Sequence, residues 1–347
     1  MPIEHETRDG ALVWIRNPVT GVISYVVDVR AKSFAFTLGR EAGQRERAAA
    51  LDAEQIARAT EVCAFCPGNE SLTTREIFLV TPAEMPGWTG AAASGGSDAG
   101  AWVIRVFNNL FPRIPAELTA NRNESYIVVE DPRHFVENPR GAGDLLYTGL
   151  LGEEHFFELL RADVRVMLMS RQNRAVRSIV IRKNQGRESG ASQPHLHQQI
   201  LGSPEPFPAV AAEARAEREI PGMFEEIINL MDRLGLMIEN HGNIVSYASP
   251  IGAFPRSYDV VMRQHRDALL SDLSADELRG FGRAIFRILA LMGPIPLDYE
   301  IHQGEGLPLH AHINARLYPY SNVAGTLNLP NTLLASAAAL REALARG

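Results

Sequence analysis

Two short strings constrain this chain more than its composition does. His195-Leu-His197 and His310-Ala-His312 each close a similar run of elements. The first run opens on Tyr126-Ile-Val-Val, passes His134 and a stretch of helical spacing, and reaches a strand ending near Gln185-Gly186. The second opens on Tyr258-Asp-Val-Val, passes His265 and another helical stretch, and reaches a strand ending at Gln303-Gly304. Tyr-x-Val-Val alone is an ordinary strand string that chance can repeat, but the paired histidines at both ends favour a duplicated strand–helix–strand–strand module. Sheets with helices segregated to one side are the α+β solution. At roughly 150 residues per domain, 347 residues suit two units, here 1–205 and 206–347.

The local signals agree with short strands and long connections. Leu12–Arg16 and Val22–Val29 flank the turn string Asn17-Pro-Val-Thr-Gly21 and predict a hairpin. Glu76–Val80, Trp102–Phe107 and Tyr126–Glu130 are further strands, and Gly87 to Gly100, rich in Gly, Ala and Ser, is a mobile surface loop. Phe156, Leu159, Leu160, Val164 and Leu168 place the core face of a helix over Leu151–Gln172. Strands are expected at Arg177–Arg182, Pro194–Leu201, Leu297–Gln303 and Leu309–Tyr318. Helices are expected over Ala209–Leu236, broken at Pro221-Gly222, from the capping box Ser274-Ala-Asp-Glu277 to about Met292, and near Thr332–Ala345. Met167 and Met169 belong to the core, and His155 to a helix surface.

Composition excludes some functions. Lys+Arg 34 against Asp+Glu 41 gives a net charge of −7, which argues against coating a polyanion but leaves room for a small nucleotide. No apolar stretch approaches the roughly 20 residues of a membrane span, and the charged N-terminus lacks an apolar leader. Two cysteines are too few for a disulfide framework, so a reducing, cytoplasmic setting is expected.

Three constellations could carry chemistry. Cys63-Ala-Phe-Cys66 offers two thiolates to one metal, a redox pair, or two unrelated thiols in a turn. With no second cysteine pair, an all-cysteine zinc site is impossible, and Pro67-Gly-Asn69 suits a loop better than the βαβ context a redox pair needs. In an extended strand His195, His197 and Gln199 share one face, which is costly if that face is dry. Upstream, the stretch 184–192 is rich in small residues and donors, as a phosphate-cradling loop requires. It lacks the Walker-A lysine and the G-x-G-x-x-G spacing. His302, His310 and His312 converge from adjacent strands as a second metal cluster or as surface histidines.

Cys63-x-x-Cys66-Pro-Gly-Asn-Glu70, Asn108-Asn109, the 184–192 loop, His195-x-His197-x-Gln199 and the final His-x-His resemble the galactose-1-phosphate uridylyltransferase family. That family is a branch of the histidine-triad superfamily built from two similar half-domains. The resemblance runs from Asn17 to Thr326. It implies an α+β fold of two histidine-triad-like half-domains, with antiparallel sheets and helices on one side.

Residue by residue, it implies that His197 is the nucleophile that attacks the α-phosphorus of a nucleoside diphosphate-sugar. Gln199 then bonds the phosphoryl oxygens of the nucleotidyl-histidine. It implies structural zinc on Cys63, Cys66, His134 and His195, and a second metal, iron or zinc, on Glu213, His302, His310 and His312. Glu217 and Glu219 are the competitors of Glu213 for that place. Asn184, Gly190 and Ser192 match phosphate contacts, Asn108 and Asn109 nucleotide contacts, and Arg30 a phosphate arginine. A homodimer is also implied.

The chemistry agrees with the residues: a neutral imidazole is a competent nucleophile near pH 7, and a covalent intermediate gives ping-pong kinetics. The expected activity moves a nucleoside monophosphate, UMP by default, from a nucleotide-sugar to a sugar 1-phosphate, as in galactose metabolism. The family's second phosphate arginine is Ser33 here. Ser321 and Gly325-Thr326-Leu327 stand where a lysine and a Tyr-Glu pair hold the hexose. Charge-assisted hydrogen bonds worth about 1.5–3 kcal/mol each are therefore lost, and the acceptor pocket is altered. A nucleotide-sugar phosphorylase, or a transferase with another acceptor, is the alternative within this fold. A zinc-stabilised nucleotide-binding module without catalysis is the alternative outside it.

Overall fold

A computed structural model describes residues 3–27, 53–88, 93–94, 101–120, 122–139, 144–317, 324–330 and 332–346. Strands β1 (His5–Arg8), β2 (Ala11–Arg16) and β3 (Ile23–Val27) form an antiparallel meander, with helix α1 (Ala53–Val62) next in the chain. The Asn17 side chain makes the predicted β2–β3 turn by accepting from the N–H groups of Val19 and Thr20 at 2.7 and 2.9 Å. Then come β4 (Glu76–Val80), the short pair β5 (Ala93–Ser94) and β6 (Ala101–Trp102), β7 (Ile104–Asn108), β8 (Glu124–Val129), α2 (Glu153–Ser170), β9 (Ser178–Gln185) and β10 (His197–Ser203). Of the predicted Gly87–Gly100 loop, 89–92 and 95–100 lie outside the described residues, and Ala93–Ser94 pairs with Ala101–Trp102.

The remainder is α3 (Pro208–Glu219), α4 (Met223–Arg233), β11 (Met237–His241), β12 (Ile244–Ala248), β13 (Ser257–Arg266), α5 (Ala275–Met292), β14 (Leu297–His302), β15 (Pro308–Ala315), β16 (Thr326–Pro330) and α6 (Leu333–Arg346). β16 joins the meander parallel to β3.

Ten strands form one antiparallel sheet in the order β11-β12-β13-β15-β14-β9-β10-β8-β7-β4. Outward from the β9–β14 seam, both directions follow the same pattern, so the sheet is an approximate two-fold about that seam. Two glutamines mark the axis. Gln185 ends β9, accepts from Thr148 N at 3.2 Å and donates to Ile295 O at 3.0 Å. Gln303 follows β14, accepts from Leu270 N at 2.8 Å and donates to Ile179 O at 3.0 Å.

One face carries α2 and α5. Ser274 caps α5 as its sequence predicts: its hydroxyl accepts from Glu277 N, and the Glu277 carboxylate accepts from Ser274 N. Phe156, Leu159 and Leu160 of α2 and Phe281, Ile285 and Ile288 of α5 are fully buried, each stabilising by about 1.5–3 kcal/mol. Gly149 lets the turn before α2 touch α5; a Cβ there would lie 2.6 Å from Ala290 Cα. The α2 core face is rotated from the expected one. Leu168 is half exposed, whereas Asp163 faces inward and Met167 is buried as expected. The buried Gln198 gives Asp163 a partner, so a carboxyl can occupy a core position.

Candidate active site and metal centres

The opposite face of the sheet carries the chemistry. At its N-terminal half, Asn69 donates to the carbonyls of Thr60, Glu61 and Cys63 at 3.1, 2.9 and 2.8 Å. That ties the end of α1 to the cysteine turn. Cys66 Sγ lies 3.3 Å from His134 Nδ1 and 3.4 Å from His195 Nδ1, and Cys63 Sγ lies 3.7 Å from His195 Nδ1. A tetrahedral zinc with bonds of about 2.0–2.3 Å sets its ligands roughly 3.3–3.8 Å apart, so the spacing fits. His195 donates from Nε2 to the Asp131 carbonyl at 2.8 Å, which aims Nδ1 at the sulfurs in the manner of metal-ligating histidines. The hydrogen bond from Cys66 holds the Cys63 thiol far below its usual range, and the same contact pushes Cys66 up. A metal bound here would displace the thiol protons, which leave to solvent.

His195 itself is not on a strand. The expected strand from Pro194 starts only at His197 and runs on to Ser203, because the bend at 194–195 is what turns His195 towards the cysteines. Shared-face geometry therefore holds for His197 and Gln199 but not for His195. His197 Nδ1 donates to the His195 carbonyl at 2.8 Å, the ring packs edge-on against Phe65 at 5.0 Å, and burial pushes its pKa down to about 4. The imidazole is thus neutral, with its lone pair on Nε2.

The second cluster joins β14 and β15 to α3. Glu213 Oε2 lies 2.8 Å from His302 Nδ1 and 3.3 Å from His310 Nε2, and Oε1 lies 3.0 Å from His312 Nε2. The outer ring nitrogens are all occupied: His310 Nδ1 by the Pro308 carbonyl at 2.7 Å, His312 Nδ1 by Asp259 at 2.6 Å, and His302 Nε2 by Glu300 at 3.3 Å. The inward His310 Nε2 is buried with no hydrogen-bond partner among the described residues. One carboxylate and three imidazoles, each oriented from behind, suit zinc or iron. Although burial opposes its charge, His302 and His310 hold the Glu213 carboxyl well below the usual range. Glu217 instead pairs with Arg266 at 2.7 Å, and Glu219 is exposed.

The two clusters are related by the sheet. With Gln185 matched to Gln303, the strand registers set Asn184 against His302, His197 against His310, Gln199 against His312 and Tyr126 against Tyr258. The sequence pairing of His195-x-His197 with His310-x-His312 is therefore offset by two residues in space.

No protein-family model matches the sequence. An ADP-glucose phosphorylase of Arabidopsis thaliana is 23% identical over 265 residues, which span 69% of this chain and 66% of that protein's length. The crystal structure of an Arabidopsis thaliana ADP-glucose phosphorylase with bound ADP-glucose matches with a TM-score of 0.65 at 18% identity, over 95% of this chain and 98% of that one. A uridylyltransferase structure matches with a TM-score of 0.59 at 20% identity, over 74% of this chain and 88% of that one. The fold is that of the galactose-1-phosphate uridylyltransferase-like proteins.

Within this uridylyltransferase-like fold the remaining expected residues are placed as follows. Asn184 donates to the Ser189 carbonyl and accepts from Arg182 Nε at 3.0 Å, so it shapes the loop in which Gly190 takes a φ of +87°. Ser192 is exposed on that loop. Asn108 is exposed, while the Asn109 amide bonds Ser125 Oγ and Phe111 N at 3.2 and 3.0 Å, building the turn itself. Arg30, Ser33 and Ser321 lie outside the described residues. His155, expected on a helix surface, is buried with Nε2 donating to the Glu130 carbonyl at 2.6 Å, because its segment packs against the β8 end that holds His195.

Sequence reasoning also missed a polar layer behind His197. Lys183 pairs with Glu130 where both are fully buried, and Gln198 joins Asp163 to the Tyr299 hydroxyl. Alternation gives the signal after the fact: Lys183 and Gln198 fall on the helix-covered face of β9 and β10. Among the described residues no helix is long and apolar enough to cross a membrane.

Proposed function

We propose that the protein transfers a nucleoside monophosphate from a nucleoside diphosphate-sugar through a covalent bond to His197. One observation carries this reading: the His197 Nδ1–H is held by the His195 carbonyl at 2.8 Å, which leaves the lone pair on Nε2, on the sheet face shared with Gln199, and burial favours the neutral ring. Nε2 attacks the α-phosphorus, the bond to the bridging oxygen breaks, and the sugar 1-phosphate leaves with the electron pair. The Nδ1 proton stays between the ring and the His195 carbonyl, which stabilises the positive charge the ring acquires. An oxygen of the acceptor then attacks phosphorus, and the N–P bond breaks to return the neutral ring. Gln199, Ser192 and the loop ending at Gly190 supply donors for the phosphoryl oxygens.

Zinc held by Cys63, Cys66, His134 and His195 would cross-link the turn at 63–66 to the bend at 195, and Glu213, His302, His310 and His312 would hold zinc or iron. In this reading residues 1–205 carry the nucleophile and 206–347 the second metal, and the enzyme is a cytoplasmic homodimer.

The default acceptor is a sugar 1-phosphate and the default nucleotide UMP. A second reading, with inorganic phosphate as acceptor and ADP-glucose as donor, is favoured by a specific observation. In the segment where the family holds its hexose, Leu327 is a buried β16 residue paired beside β3 and offers no polar group. The similarity to ADP-glucose phosphorylases supports the same reading. Mass spectrometry after mixing with UDP-glucose or ADP-glucose tests both. The expected result is a uridylyl or adenylyl adduct that disappears in His197→Ala. Discharge by galactose 1-phosphate supports the transferase, discharge by phosphate alone supports the phosphorylase, and no adduct with either donor leaves a nucleotide-binding module.

A further inference from the structure

Arg182 is the one arginine or lysine that β9, β10 and β14 place on the face of His197. It sits opposite Gln199 on one side and opposite Glu300 on the other, at the two-fold seam. His197 is its diagonal neighbour across the β9–β10 ladder. Such neighbours stand about 7–8 Å apart between Cα atoms, within reach of an arginine side chain. The guanidinium is oriented from one edge only: Nε donates to Asn184 Oδ1 at 3.0 Å and lies 3.3 Å from Glu300 Oε1.

Neither Nη has a hydrogen bond among the described residues, and the side chain keeps 22% of its exposure. A part-exposed pair made through Nε contributes little stability, which leaves the planar Nη fork pre-aimed and unused. Phosphate accepts such a fork in two parallel hydrogen bonds. Asn184 keeps at most one amide N–H, since its amide already bonds the Ser189 carbonyl and Arg182 Nε, so it cannot offer a charged fork.

The geometry points to Arg182 as a substrate-binding residue that grips a non-transferred phosphate, the β-phosphate of the donor and the incoming phosphate of the acceptor, beside Gln199. The inference rests on the proposed site at His197 and adds the group that recognises the second phosphate. Glu300 sets the direction of the fork through Nε. The ligand class is a diphosphate ester or free pyrophosphate.

The test compares Arg182→Met and Arg182→Lys with the unmodified protein, by calorimetric binding of pyrophosphate, ADP-glucose and adenosine. Arg182→Met is expected to weaken pyrophosphate and ADP-glucose at least tenfold and leave adenosine within twofold, with Arg182→Lys recovering part of the loss. Unchanged pyrophosphate binding in a folded Arg182→Met protein overturns the inference, as does an equal loss for adenosine, which would mark a packing role. Failure of the two readings is separable. Arg182-dependent pyrophosphate binding without any His197 adduct sinks the transfer reaction alone, while an adduct formed with unaltered affinity in Arg182→Met sinks the arginine's role alone. An unmodified protein that binds no phosphate compound sinks both.

Discussion

His197 and His310 occupy the same place in the two halves of the sheet and make the same bond, Nδ1 to the carbonyl two residues back, at 2.8 and 2.7 Å. Their Nε2 atoms differ in what they face. That of His197 has no hydrogen-bond partner among the described residues, and that of His310 is turned to Glu213 at 3.3 Å. The same latch thus leaves Nε2 towards the open sheet face in one half and towards a carboxylate in the other, the difference coming from α3, which supplies Glu213; in the proposed reading the first is the nucleophile and the second a metal ligand.

This relationship separates the two variants. His310→Ala should lose the second metal and keep the zinc at the cysteines, whereas His197→Ala should keep both and lose the covalent adduct. Metal content by plasma emission, run beside the adduct assay, checks this. Full retention of both metals in His310→Ala would remove the second cluster from the account.

Cys63→Ser should empty the first site. Apo zinc sites of this kind lose the free energy of binding from folding, so about one zinc per chain should be lost while the metal of the second cluster stays. The urea midpoint should drop by an amount equal to several kcal/mol. The His195 carbonyl should lose its alignment as well, which lowers adduct formation even where the protein stays folded at low temperature.

What could be read from the sequence divides along local and tertiary lines. The α5 cap at Ser274 and the Asn17 turn are local signals, and each stands where its spacing places it, whereas the paired histidines are local signals of a site but His195 leaves the strand that their spacing predicts. The two-residue offset between His197 and His310 was not legible, because register is decided by strand pairing across the seam and not by motif spacing. Nor was the core position of Asp163: hydrophobic periodicity weighs Val164 and Leu168 as apolar and cannot foresee that Gln198 will reach a carboxyl from the next layer. Arg182 was invisible for the same reason. In the sequence it is one arginine in a strand, and only the ladders put it beside Gln199.

The buried His155 should make stability depend on acid. Burial lowers its pKa in the folded protein despite the nearby Asp131, so the unfolded chain takes up a proton first as pH falls below about 6.5. The stability contributed by the neutral ring is complete above that pH and is lost as pH falls towards the folded value. His155→Gln keeps a donor for the Glu130 carbonyl without the titration, so its urea midpoint should change less between pH 7 and 5 than that of the unmodified protein. Equal slopes would show that the ring ionises freely.

Asp163 has the opposite sign. Burial holds its carboxyl well above the usual range, against the help of the Gln198 hydrogen bond, and one carboxyl oxygen has no hydrogen-bond partner among the described residues. The folded chain therefore keeps a proton that the unfolded chain releases above about pH 3.9. Stability from this group is present at low pH and declines as pH rises through the window between the two values. Asp163→Asn keeps the acceptor for Gln198 and removes the ionisation. Its advantage over the unmodified protein should grow from pH 5 to pH 8 in urea titrations. A loss of stability at both pH values would instead mean that the carboxyl is ionised and paired, and that the polar layer behind His197 is charged.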